Sequence, residues 1–169
     1  PNKAIEKAPT NIHDVLEHVR TLLEAEGGDR VGFERDYDPS IPEFMGDREQ
    51  LIQAILNVAR NALQVLTQHP PVAGNPTITM RTRALRQFTI GHRRHKLACC
   101  VEIIDNGPGI PHELKQNLFY PMISGRPDGT GLGLAITQSI VGQHKGLVEC
   151  DSEPGETRFI IFLPLESSE

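Results

Sequence analysis

The chain has 169 residues, the size of one domain, and can bury a core without disulfides or metals to staple it. Apolar residues make up 38% and charged residues 23%, as in a soluble globular domain, and a net charge of −5 argues against a general nucleic-acid binder. Three cysteines in no framework spacing exclude a disulfide scaffold, and neither a membrane-spanning run nor a signal-peptide pattern is present, so a cytoplasmic protein is expected.

The chain starts at Pro1 rather than at a methionine and reads as a fragment, one domain over 1–169. Residues 13–26 predict a helix: Val15, Leu16, Val19, Leu22 and Leu23 fall at helical spacing, and Gly27-Gly28 stop the run. A strand is expected over 31–37, then breaks at Asp38-Pro39 and Ile41-Pro42. The longest helix is expected over 48–68, capped by Asp47, with Leu51, Ile55, Val58, Ala62 and Val65 repeating before His69-Pro70-Pro71 ends it. Strands are expected at 77–85 and 97–104, flanking a basic segment with no acid from 77 to 101. The stretch 105–130 is rich in glycine and proline, as a functional loop would be. A helix over 131–144 and strands at 146–151 and 157–163, around Pro154-Gly155, complete the chain. Helices interleaved with strands and closed by a hairpin predict an α/β fold: a two-layer sandwich of a mixed sheet packed on helices.

Gln53, Asn57, Asn61 and Gln64 share one stripe of the long helix, in mostly apolar surroundings that predict burial. Such amides can be satisfied by nearby backbone, or an asparagine oxygen can ligate Mg²⁺, which needs few protein ligands when phosphates supply the rest. Asp105-Asn106-Gly107-Pro108-Gly109-Ile110 follows a strand. It can be a hairpin turn, or a carboxylate placed to accept from an exocyclic amine such as that of adenine, with Gly107 and Gly109 letting the backbone approach a flat ring. Gly129-Thr130-Gly131-Leu132-Gly133 opens a helix, where free N–H groups and the positive dipole end suit phosphate, or it is a plain flexible connection. It is neither a Walker loop nor a dinucleotide fingerprint, since Leu134 stands where the third glycine would be.

In this order the motifs resemble the ATP-binding domain of sensor histidine kinases. The fold is shared with gyrase-type, Hsp90 and mismatch-repair ATPases. Asn57-x-x-x-Asn61 is similar to the N box, Asp105 to Gly109 to the G1 box, Phe119-Tyr120-Pro121 to the F box, and Gly129 to Gly133 to the G2 box. The resemblance covers roughly 10–165 and implies a Bergerat-type fold with ATP and Mg²⁺ as cofactors. It implies Asn61 on the metal, Asp105 on adenine, Asn57, Gly107, Gly109, Ile110, Thr130, Gly131, Leu132 and Gly133 at the nucleotide, and a mobile lid over about 106–130 that includes Phe119, Tyr120, Ser124, Gly125, Arg126 and Gly129. The hydrolysing branch carries a Glu base where Asn57 stands, and asparagine is no general base, so the substitution favours phosphoryl transfer over hydrolysis.

The run Leu118 to Arg126, with Asn57 to Gln64, is similar to the nitrogen-regulation sensor kinases of the NtrB type. These are cytoplasmic kinases that phosphorylate a response regulator of the NtrC type through a histidine and answer to the PII signal protein. Many histidine kinases have a Lys-Tyr pair where Gln64 and Val65 stand, so its contacts must come from elsewhere, with Arg60 and Arg126 as candidates. The phosphoacceptor domain would lie outside this chain, so the partners implied are that domain, the regulator and PII, and the isolated domain is expected to be a monomer. Alternatives are a hydrolysing ATPase of the same fold and an ATP-gated module that docks PII and modulates dephosphorylation of the regulator.

His112-Glu113-Leu114 mimics a phosphoacceptor box but follows the G1 box inside the lid, and His112→Ala is expected to leave transfer intact. His92 and His95 have metal-like spacing without further ligands, and read as parts of a solvated loop. The basic segment 81–96 is a solvated hairpin or a docking surface. Cys99 and Cys100 are neighbours on a strand, point to opposite faces and read as inert.

Overall fold

A computed structural model of the chain describes residues 4–111, 113 and 130–165. Among the described residues, three long α-helices lie on one face of a five-stranded sheet. Helix α1 spans Ile12–Gly27 and buries Val15, Leu16, Val19 and Leu23 completely, the stripe that the apolar spacing demands. Each such side chain contributes about 1.5–3 kcal/mol when taken out of water. Helix α2 spans Arg48–Gln68. Its start is set by Asp47, whose side chain accepts from Gln50 N at 3.1 Å, and its end falls just before His69-Pro70. Helix α3 spans Thr130–Gln143.

Strands β2 (Gly32–Asp36), β4 (Thr77–Ile90), β5 (Arg93–Asp105), β6 (Leu147–Glu153) and β7 (Glu156–Pro164) form the sheet in the order β2-β4-β5-β7-β6. Only the β2–β4 pair is parallel, so the sheet is mixed, as expected. Register brings Ile78, Asp105 and Thr157 side by side, and likewise Met80, Ile103 and Phe159. Ile78, Met80, Ile103 and Phe159 are buried in the core beneath the helices.

Two short strands escape the sequence reading: β1 (Ala8–Thr10) and β3 (Phe44–Gly46) pair antiparallel just ahead of α2. Three-residue strands carry too little alternation to register as a pattern. The strands expected at 77–85 and 97–104 are longer. They run on to Ile90 and back from Arg93, past the last residues of β4 and β5 that pair with β2 and β7. The overhanging ribbon bends at Gln87, whose φ is +51°, and lays Phe88 on Phe162 with ring centroids 4.8 Å apart. Ile90, Cys100 and Phe162 form a second small core there. The basic segment is therefore an anchored hairpin. Arg81 and Arg83 pair with Asp36, while Arg86, Arg93, Arg94 and Lys96 are exposed.

Candidate functional site

Helix α2 is less enclosed than its sequence suggests. Gln53 is exposed and Asn57, Asn61 and Gln64 are half-buried, so the polar stripe opens outward, while Ala54, Val58 and Ala62 beside it are buried. Gln53 Nε2 donates to Asn57 Oδ1 at 3.1 Å. The side chain of Asn61 has no hydrogen-bond partner among the described residues. Oε1 of Gln64 is buried without a partner. Arg60 lies about 100° round the helix from Asn61. It is held by Glu26 of α1, with its Nε and Nη2 at 3.1 and 3.0 Å from the two carboxylate oxygens. Arg60 thus faces α1. The groove beside it, about 250 Å³, is lined by Arg30, Arg60, Gln64 and Thr67 on that same side.

The second part of the site is a polar corner where β5 ends. Asp105 is its last residue and only 4% exposed. Its Oδ1 accepts from Gly107 N at 2.9 Å, which turns the chain at once. Asn106 ties the turn to the start of β4: its Oδ1 accepts from Thr77 N and its Nδ2 donates to Asn75 O. A Cβ on Gly107 would stand 3.1 Å from Val65 Cγ1 of α2, so the turn lies directly against the helix. Gly109 has φ +92°, and a Cβ there would meet Glu153 O at 2.7 Å, so only glycine fits. Ile110 N donates to Ser152 Oγ at 2.8 Å, and Ser152 Oγ is 3.2 Å from Thr157 Oγ1. The Asp105-to-Gly109 motif is thus not a hairpin turn between paired strands.

Thr157 is a residue the sequence reading missed. It stands opposite Asp105 in the β5–β7 register and is 4% exposed, so carboxylate and hydroxyl share one buried corner. No local pattern in Gly155-Glu156-Thr157 announces this pairing, which exists only through the β5–β7 register.

The third part is the start of α3. Thr130 to Gly133 form its first turn, so the expected glycine-rich segment does open a helix. Thr137, fully buried, donates from Oγ1 to Ala54 O of α2 at 2.8 Å. His144, just past the end of α3, accepts from Asp47 N at 2.9 Å through Nε2, and its Nδ1 faces Ile140 O at 2.9 Å. The ring is therefore neutral with its proton on Nδ1, and burial lowers its pKa below the ordinary value.

Gly107, beside Asp105, stands against Val65 and Leu66 of α2, about one turn on from Asn61, while Gly109 and Ile110 pack on β6 and α3 is bonded to α2 through Thr137. Phe119, Tyr120, Ser124, Gly125, Arg126, Gly129 and His112 lie outside the described residues. Cys99 sits under the helices and Cys100 on the opposite face, as their adjacency requires, and burial pushes their thiols up to about 12 and about 11. Neither is a nucleophile at neutral pH. His95 corrects the solvated-loop expectation: it is 5% exposed, paired with Phe88 inside the ribbon, while His92 is exposed at the tip. Among the described residues no three His, Cys, Asp or Glu side chains converge on a metal position, and no helix is long and apolar enough to cross a membrane. An asparagine oxygen without a partner on a half-exposed stripe does suit magnesium, which takes oxygen ligands and keeps most of its shell from phosphate and water.

Residues 46–167 match the family described as histidine kinase-, DNA gyrase B- and HSP90-like ATPase. Over 165 residues the chain is 49% identical to the sensory histidine kinase/phosphatase NtrB of Vibrio alginolyticus, covering 98% of this chain and 46% of that protein. It is 40% identical over 167 residues to NtrB of Rhodobacter capsulatus, covering 97% of this chain and 45% of the relative. The chain thus spans less than half the length of these curated relatives. Among solved structures, the catalytic domain of the histidine kinase ThkA superposes with a TM-score of 0.76 at 23% identity, covering 95% of this chain and 96% of that one. The mycobacterial sensor histidine kinase MprB gives 0.74 at 27% identity, over 96% of this chain and 100% of that one.

Proposed function

Since the chain belongs to the family of histidine kinase-, DNA gyrase B- and HSP90-like ATPases, we propose that it is the ATP-binding catalytic domain of a cytoplasmic sensor histidine kinase in nitrogen regulation. It would present the γ-phosphate of ATP to a histidine on a separate phosphoacceptor domain. The observation that carries this reading is the pairing of a buried carboxylate, Asp105, with an asparagine stripe in which the family's general base is replaced by Asn57.

The carboxylate of Asp105 accepts from the exocyclic amine of adenine, and the Thr157 hydroxyl beside it supplies a second polar contact to the ring edge. Gly107 and Gly109 let the turn pack tightly on α2 and β6, which fixes the Asp105 carboxylate at the strand end. The free N–H groups of Thr130, Gly131, Leu132 and Gly133 receive the phosphates at the positive end of α3. Asn61, one turn from Asn57, would hold Mg²⁺, which would supply neutralisation of phosphate charge. Catalysis is then positioning and electrostatics, because phosphoryl transfer asks little covalent chemistry of the protein. No carboxylate stands at position 57 to activate water, so ATP is spared for the imidazole. By resemblance, Phe119, Tyr120, Ser124, Gly125, Arg126 and Gly129 belong to the lid that closes the site. The partners of this reading are the phosphoacceptor domain, a response regulator and a PII-type signal protein. The likeness to kinase/phosphatases named NtrB supports it.

Nucleotide binding tests the site assignment. The chain should bind ATP with an affinity that rises with Mg²⁺. Asn61→Asp should remove the Mg²⁺ response, and Asp105→Ala should remove binding. Undiminished Mg²⁺-dependent binding in either variant would sink the assignment.

A further inference from the structure

Two buried bonds tie α3 to α2, and they fall in one register. Thr137 bonds to Ala54, and His144 bonds to Asp47. From Thr137 to His144 is seven residues along α3, and from Ala54 back to Asp47 is seven along α2, so the helices run antiparallel with both contacts in step. Seven residues are close to two full turns, about 10 Å, so both contacts come from the same side of each helix. One further step of seven carries this register to Thr130 on α3 and Asn61 on α2. The first turn of α3 therefore stands level with the asparagine that the proposed function assigns to the metal.

We infer that Thr137 and His144 are positioning residues, which lock α3 along α2 so that the phosphate-facing end of α3 is held at the height of Asn61. Neither touches nucleotide. The hydroxyl of Thr137 uses the second lone pair of a carbonyl that already accepts within α2, so sliding α3 by even part of a turn breaks a fully buried bond. His144 gives the backbone N–H of Asp47 a neutral acceptor, while the Asp47 carboxylate caps α2 through Gln50 N and also accepts from Glu6 N at 2.9 Å. The start of α2 and the end of α3 are thus one hydrogen-bonded joint. The adenine corner is built separately, from β5, β6 and β7, and does not depend on this register.

That separation makes the inference testable, and it rests on the nucleotide reading above. Binding of adenosine and of Mg·ATP to this chain would be compared for the wild type, Thr137→Val, Thr137→Ser and His144→Phe, with thermal unfolding followed in parallel. Thr137→Val, equal in shape but without the hydroxyl, should weaken Mg·ATP about tenfold and leave adenosine within about twofold. Thr137→Ser should restore Mg·ATP binding. Should the valine chain fail to fold, His144→Phe provides the same comparison with the same expected split. Equal weakening of both ligands, or loss of melting temperature with unchanged Mg·ATP binding, would overturn the positioning role. A wild-type chain that binds neither ligand would instead refute the nucleotide reading.

Discussion

Gly109 has a backbone that a side chain cannot share, with φ +92° and a carbonyl 2.7 Å from where a Cβ would sit. Gly109→Ala should cost roughly 1–3 kcal/mol in denaturant melts and weaken nucleotide binding with it. An alanine chain as stable as the wild type would show that the turn re-forms without strain. At the facing strand end, Thr157→Val should weaken adenosine binding about five- to tenfold, the loss of one buried bond, measured by titration. No change there would remove Thr157 from the site. Asp105, Gly107 and Gly109 were legible because one short motif holds them, and Asn57 and Asn61 because helical spacing puts them on one stripe. Thr157 was not, because it reaches Asp105 through a strand register that no local pattern announces.

Helix boundaries were readable because they are chemical events: Asp47 caps α2 and Pro70 follows its end. Asp47→Ala should cost about 1–2 kcal/mol, since the cap on Gln50 N and the bond from Glu6 N go together, whereas Asp47→Asn should retain most of that. The β4–β5 ribbon was misjudged in length because its basic residues hide the alternation, and the bend at Gln87 moves Phe88 onto Phe162 against the expected parity. The joint at His144 has a pH signature. Burial lowers the pKa of both His144 and His13 below 6.5 in the folded chain. The unfolded chain therefore binds more protons once the pH drops below about 6.5, and stability falls from there downward. Glu17 is held at about 2 by its hydrogen bond from Arg20, and its stabilisation is lost only as the pH falls below 4.5 toward 2, outside that window. Urea melts at pH 7.5 and 5.5 should show lower stability at 5.5. Equal or greater stability at 5.5 would contradict the neutral imidazoles of buried His144 and half-buried His13.

At the scale of the molecule, the interleaving of helices and strands was enough for a two-layer sandwich, but the strand order β2-β4-β5-β7-β6 was not readable, because non-local pairing leaves no trace in local composition. The architecture sets a polar corner at the strand ends, an asparagine stripe on α2 and the start of α3, the three parts that the proposal assigns to nucleotide. The gyrase- and Hsp90-like members of the family are ATPases by name, as the histidine kinases are kinases, so the fold alone does not decide between water and imidazole as acceptor. Asn57 is the residue that argues for the imidazole. The most direct test is to incubate the chain with γ-labelled ATP and Mg²⁺, with and without a separately prepared phosphoacceptor domain from the same kinase. The account predicts acid-labile label on that domain only when both proteins are present, with little phosphate released by the chain alone. Steady release of inorganic phosphate by the chain and no label on the domain would contradict it.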